Sequence, residues 1–192
     1  MAKQNKVEFG LSQVHMGTYD YDPETKKVTL GTPVAIPGAV TMSYEVKSDS
    51  EPFYADNVQY YNSYGAEERS GEMEMALIPD NIRTEFLGYK KTKDGGLGRP
   101  TGAINKTVYI AFQAEGDAAS SRVVFYNVSL GAISREYATK EDKTKPVTEK
   151  LPFTVTGDVP TGIGQLVYRP DETGYNTVFT APVAPAIEDK AL

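Results

Sequence analysis

The chain has 192 residues, 40% of them hydrophobic, and its 26 acidic residues against 20 Lys and Arg give a formal net charge of −6. That length suits one domain with a modest core, and the absence of cysteine excludes disulfides and thiolate chemistry. No basic stripe is present to hold nucleic acid by its phosphates, no apolar run approaches the roughly 20 residues that cross a bilayer, and the opening MAKQNKVEF lacks the apolar stretch of a secretory signal, so folding in a cytosol is expected.

Thirteen Tyr, seven Phe and many Val and Thr favour strands, while 17 Gly and 12 Pro imply many turns. Within 6–21, Val7 and Phe9, then Val14, Met16 and Thr18, keep a period of two, which predicts a strand. Asp22-Pro23-Glu24 supplies a turn, because Pro fixes φ and the Asp carboxylate can bond to the backbone ahead of it. Residues 27–30 return as a strand, and Pro33 and Pro37 mark 31–38 as an edge. The cleanest alternation is 39–47: Val40, Met42, Tyr44 and Val46 form a face to be buried, Thr41, Ser43, Glu45 and Lys47 a polar one. Residues 48–69 read as a long polar and aromatic loop. From 70 to 78 the alternation resumes, with Ser70, Glu72 and Glu74 opposite Met73, Met75 and Leu77.

Pro79-Asp80 opens a helix of about two turns, with Asp80 as its N-cap, Ile82 and Phe86 on one face and Gly88 as a left-handed C-terminal cap. Residues 88–105 form a flexible Gly-rich loop in which Lys90, Lys91 and Lys93 read as solvated charge. Two strong strands follow over 107–114 and 122–130, the second buried on both faces where Val123–Tyr126 runs continuously apolar. Residues 138–145 read as a charged loop. The stretch 147–156 is a strand that Pro152 places at an edge or bulge, 165–169 is a short last strand, and 181–192 is a mobile Pro/Ala-rich arm.

Little of this supports catalysis. His15 is the only histidine, so neither a metal site nor a nucleophilic triad has partners to work with. Asp20, Asp22 and Glu24 begin like a calcium loop, but Thr25 and Gly31 stand where Gly and Glu are required. Gly96-Leu97-Gly98 lacks the third glycine of a phosphate-binding turn. Glu72 and Glu74 project from one strand face roughly 7 Å apart, and neighbours on a flat strand cannot flank a glycosidic bond. The remaining cluster is Phe53, Tyr54, Tyr60, Tyr61 and Tyr64: exposed aromatic rings that suit a protein contact, or stacking on sugars or bases.

The run from Phe53 to Gly88, with Phe-Tyr-Ala-Asp at 53–56, Tyr60-Tyr61, and a Gly-Glu strand ending in Ile78-Pro79-Asp80, resembles the signature of the major tail proteins of siphophages infecting Gram-positive bacteria. KVEFGLSQVH, IPGAV and ATKEDKTKPVTEKLPFTVTG are similar to family stretches as well. The resemblance implies a single domain over 1–192 that is all-β with one short helix: a tail-tube β-sandwich whose strands join a 24-stranded inner barrel in a hexameric ring. Rings stack into the tube through which double-stranded DNA passes without specific binding. The implied partners are further copies and the tape measure, terminator and distal tail proteins. The implied place is the virion, after assembly in the host cytoplasm, with no enzymatic activity, cofactor or metal. On that reading Phe53, Tyr54, Asp56, Tyr60, Tyr61 and Tyr64 bridge adjacent rings, and Thr41, Ser43, Glu45, Lys47, Ser70, Glu72 and Glu74 face the lumen. A carbohydrate-binding module or adhesin, a hydrolase using Glu72 and Glu74, and another ring-forming tail component are the rival readings.

Overall fold

The computed structural model describes residues 5–187 apart from 49, 66 and 138–145. In chain order its elements are β1 (Glu8–Asp22), β2 (Lys27–Leu30), β3 (Val34–Ala35), β4 (Ala39–Lys47), β5 (Ser50–Ala55), β6 (Val58–Tyr64), β7 (Glu68–Met75), α1 (Asp80–Phe86), β8 (Lys90–Lys91), β9 (Leu97–Gly98), β10 (Val108–Gly116), β11 (Ser121–Leu130), β12 (Ser134–Arg135), β13 (Glu149–Val155) and β14 (Gln165–Tyr168). The fold is all-β with one short helix, as its β-branched and aromatic content predicts.

Ten strands form one antiparallel sheet in the order β2-β1-β10-β11-β13-β7-β4, with β3 beside β1, β14 beside β11 and β12 beside β13. The sheet curls so that β1 and β4 touch. Its inner face gathers Met16, Ile110, Phe125, Met73 and Leu151 against Ile82 and Phe86 of α1. Each such fully buried side chain contributes about 1.5–3 kcal/mol relative to exposure. A second cluster, Tyr19, Tyr109, Ala111, Val124, Tyr126 and Val178, fills the opposite face of β10 and β11. Those two strands are therefore buried on both faces, as the apolar run Val123–Tyr126 predicts. The second face is covered by the segment after β14, where Phe179 packs against the cluster and the Tyr126 hydroxyl donates to the Val183 carbonyl at 3.1 Å.

Several local expectations hold. Asp22 Oδ1 accepts the Glu24 amide at 2.9 Å, closing the β1–β2 turn. Gly88 has φ +67°, and the Tyr89 amide behind it donates to the Arg83 carbonyl, so the glycine ends the helix as predicted.

Others are corrected. The expected loop 48–69 holds two strands, β5 and β6, which pair as a hairpin in a sheet of their own. Asp80 is the first helical residue and caps nothing; Pro79 is the N-cap, without a side-chain bond. Pro152 sits inside the sheet, between β7 and β12/β11, not at its edge. Its carbonyl accepts from Gly131, so the side on which it has no N–H faces the interruption between β11 and β12, where no ladder bond is lost. The loop 88–105 is tied down. It holds the β8–β9 hairpin, Arg99 Nε donates to Leu87 O, and Asn105 Nδ2 donates to Leu130 O and Gly131 O. The expected arm 181–192 is anchored at Val183, and its residues 188–192 lie outside the described ones, as does the expected charged loop 138–145.

Candidate assembly surfaces

The seven polar residues read from 39–47 and 70–78 share one sheet face. In the β4–β7 register Thr41 lies opposite Glu74, Ser43 opposite Glu72, and Glu45 opposite Ser70, with Lys47 opposite Glu68. β13 adds Lys150 opposite Glu74, Pro152 opposite Glu72 and Thr154 opposite Ser70. Glu74 is held from both sides, accepting from Thr148 Oγ1 at 2.5 Å and Thr41 Oγ1 at 3.3 Å. Lys150 Nζ lies 3.0 Å from Glu72, and its bond to that carboxylate raises its pKa. Lys47 lies 2.6 Å from Glu45 and is raised for the same reason. Sequence reasoning missed Glu68, Thr148 and Lys150. For Lys150 the signal was present: Lys150, Pro152 and Thr154 alternate with Leu151, Phe153 and Val155.

The opposite face of β4 departs from expectation. Met42 packs against the inner cluster beside Met73, yet Val40, Tyr44 and Val46 remain 41–49% exposed. Val40 is displaced by a bulge between the Ala39 and Thr41 pairs, and Val46 lies opposite Arg69, away from the Met42–Met73 pair. Tyr44 lies across Gly71, with its ring 5.1 Å from that of Phe125 in a T-shaped contact. β4 ends the sheet order, so among the described residues no strand is hydrogen-bonded to one of its edges.

Beyond β4 stands the β5–β6 hairpin. Asp56 and Asn57 form its two-residue turn, both left-handed with φ 52° and 61°, the conformation that a tight hairpin requires. Asp56 is thus a turn former. Phe53 pairs with Tyr61, Tyr54 pairs with Gln59, and the register shift between them sets Tyr60 in a bulge. Phe53, Tyr54, Val58, Tyr60 and Tyr61 are 59–76% exposed, so the subunit itself does not cover them. Tyr64 ends β6, and its side chain is outside the described residues.

The far end of the same ladder carries α1. Ala39 pairs with Met75 there, and Met75 with Glu149. The Glu149 carboxylate binds Arg83 of α1 and Arg135 of β12 and accepts the Ile78 amide at 2.7 Å. Burial pushes its pKa up, but the amide and the two guanidiniums outweigh that and hold it below the ordinary carboxylate value. His15 stacks on Phe179 with ring centroids 4.6 Å apart. Among the described residues no group of three or more His, Cys, Asp or Glu could hold a metal ion, and no helix is long and apolar enough to cross a membrane.

No curated protein matches the chain. It is similar in structure to a chain of the anti-feeding prophage baseplate, solved by cryo-electron microscopy with six-fold symmetrisation. The TM-score is 0.39 at 6% identity, over 88% of this chain and 97% of that one. A likeness that loose carries no weight. The family model of the phage tail tube protein matches residues 3–161, most of the length, and on that match the chain belongs to the phage tail tube protein family.

Proposed function

We propose that this subunit closes into six-membered rings that stack into the tail tube, with the polar face of β4, β7 and β13 turned to the lumen and the β5–β6 hairpin reaching the next ring. The family is structural, not catalytic, and its members are components of the phage virion that assemble with other tail proteins. The observation that carries the proposal is the combination of an open β4 edge with a projecting hairpin whose aromatic side chains are uncovered. Open strand edges and large exposed apolar residues are liabilities in a monomer, and self-association removes both. If each of six subunits gives four strands to an inner barrel, a strand spacing near ~4.8 Å and a tilt near ~40° put its diameter at roughly 50 Å between backbones. A duplex passes through that width. The tape measure, terminator and distal tail proteins are the partners that such a tube requires, and the host cytoplasm is its place of assembly.

Electron micrographs of the purified protein test this. Tubes with a ring repeat are expected. Single discs that never stack would indicate another ring-forming tail component, and a permanently monomeric protein that binds glycans would indicate an aromatic carbohydrate platform.

A further inference from the structure

The hairpin needs a receiving surface on the next ring, and we infer that it is the basic loop 88–106 of a second copy, held by opposite charge. This rests on the stacking reading above. The hairpin, residues 50–64, contains Glu51 and Asp56 and no Lys or Arg, a sum of −2. Residues 88–106 contain Lys90, Lys91, Lys93, Arg99 and Lys106 against Asp94, a sum of 5 − 1 = +4, in a chain whose net charge is −6. A positive segment of this size in an acidic chain is unlike its surroundings, and it stands in the right place.

The hairpin leaves the sheet where Lys47 pairs with Glu68. The loop is fixed at the other end, where Ala39 pairs with Met75, α1 follows, and the Lys106 amide donates to the Phe86 carbonyl at 2.9 Å. Eight strand positions, about 25 Å, separate the two ends. Segments at opposite ends of one subunit cannot meet each other, but they meet between copies stacked head to tail. A contact of that kind repeats without closing, which is how an open-ended tube grows.

The loop is shaped before any partner arrives. Arg99 bonds to the carbonyls of Leu87 and Ala103 and to Asn105, while Asn105 is fastened to β11. These acceptors are neutral, so the Arg99 charge is not cancelled. Lys90, Lys91 and Lys93 are exposed, and Ile104 in the same loop is 88% exposed, an apolar foothold for the hairpin's aromatic rings. A preformed receiver spares part of the ordering cost of association.

Charge reversal tests this. One variant carries Lys90→Glu, Lys91→Glu and Lys93→Glu, which takes the loop from +4 to −2; a second carries Glu51→Lys, Gln59→Lys and Ser63→Lys, which takes the hairpin from −2 to +2. Each alone should give folded protein, by circular dichroism, that no longer forms long tubes. Both sets in one chain restore opposite signs and should restore tubes, and wild-type tubes should shorten as salt is raised. Wild-type tubes together with unchanged tubes in either single variant would overturn the inference and leave the stacking reading standing. So would a folded combined variant that does not assemble while both single variants fail. Wild-type protein that forms no tubes at all would remove the stacking reading, and this inference with it.

Discussion

The carboxylate of Glu149, only 1% exposed, holds the guanidinium of Arg83 across 66 residues of sequence, with Nη2 2.6 Å from Oε2. The pair fastens α1 to β13, and Arg83 Nε also donates to the Ile78 carbonyl at 3.0 Å. Glu149→Gln would take the Glu149 charge from Arg135 and leave Arg83 only the exposed Asp80 carboxylate at 3.9 Å, and such losses at a mostly buried pair cost about 3–5 kcal/mol. Chemical denaturation should show that loss. Because the folded-state pKa lies below the unfolded value of about 4.3, the stabilisation is fully present above that pH and fades as pH falls through the folded value. The denaturation midpoint should therefore drop as pH falls below about 4.3, and less steeply in Glu149→Gln than in the wild type.

Gly71 should tolerate no side chain. A Cβ there would meet the Ser43 carbonyl, the Phe153 ring at 2.7 Å and Tyr44 Cβ at 2.8 Å. The carbonyl belongs to the ladder and cannot swing aside, so Gly71→Ala must push β4 from β7. A destabilisation of about 1–3 kcal/mol is expected from overpacking, read as a lower melting temperature. A variant that melts with the wild type would mean that β4 is held loosely.

Much of the inner architecture is legible in the sequence because one period governs it. The alternation at 39–47 and 70–78 places Thr41, Ser43, Glu45, Glu72 and Glu74 on one face, and the register sets them side by side. Val123–Tyr126 announces burial on both sides. The hairpin was hidden because its turn is Asp56-Asn57, without the glycine that usually signals such a turn, and its aromatic residues stand on both strands without alternation. Nothing local in the sequence points from Glu149 to Arg83, 66 residues away. The cover that Val178 and Phe179 give to the second core is a tertiary fact, written in a segment of turns with no strand or helix period.

Replacing residues 50–64 with a short Gly/Ser linker should leave the subunit as stable as before, because none of the hairpin's described side chains belongs to either core cluster. Lys47 and Glu68 are already paired, so a short turn can join them. Melting temperature should change little while long tubes disappear from micrographs. Normal polymerisation of the shortened protein would exclude the hairpin as the bridge between rings.

Glu45, Glu72 and Glu74 should set the electrostatics of DNA passage. Their sheet face also carries Glu68, Lys47 and Lys150, so four acids oppose two lysines, a sum of −2 per subunit. Repeated around a ring, that gives a wall which repels phosphate and lets a duplex slide. The cross-strand bonds of Glu72 to Lys150 and of Glu74 to Thr41 and Thr148 hold both acids in place. Changing Glu45, Glu72 and Glu74 together to Lys adds six charges and turns −2 into +4. Each ring would then exchange counterions with the duplex, and the attraction would be steeply salt-dependent. Tubes should still assemble, since ring contacts at the β4 edge and the hairpin are untouched. DNA ejection should slow, most of all at low ionic strength where screening is weakest, and recover as salt is raised. Phage carrying the triple change, with tails confirmed intact by microscopy, supply the measurement. Ejection at the wild-type rate in low salt would mean that this face does not line the channel.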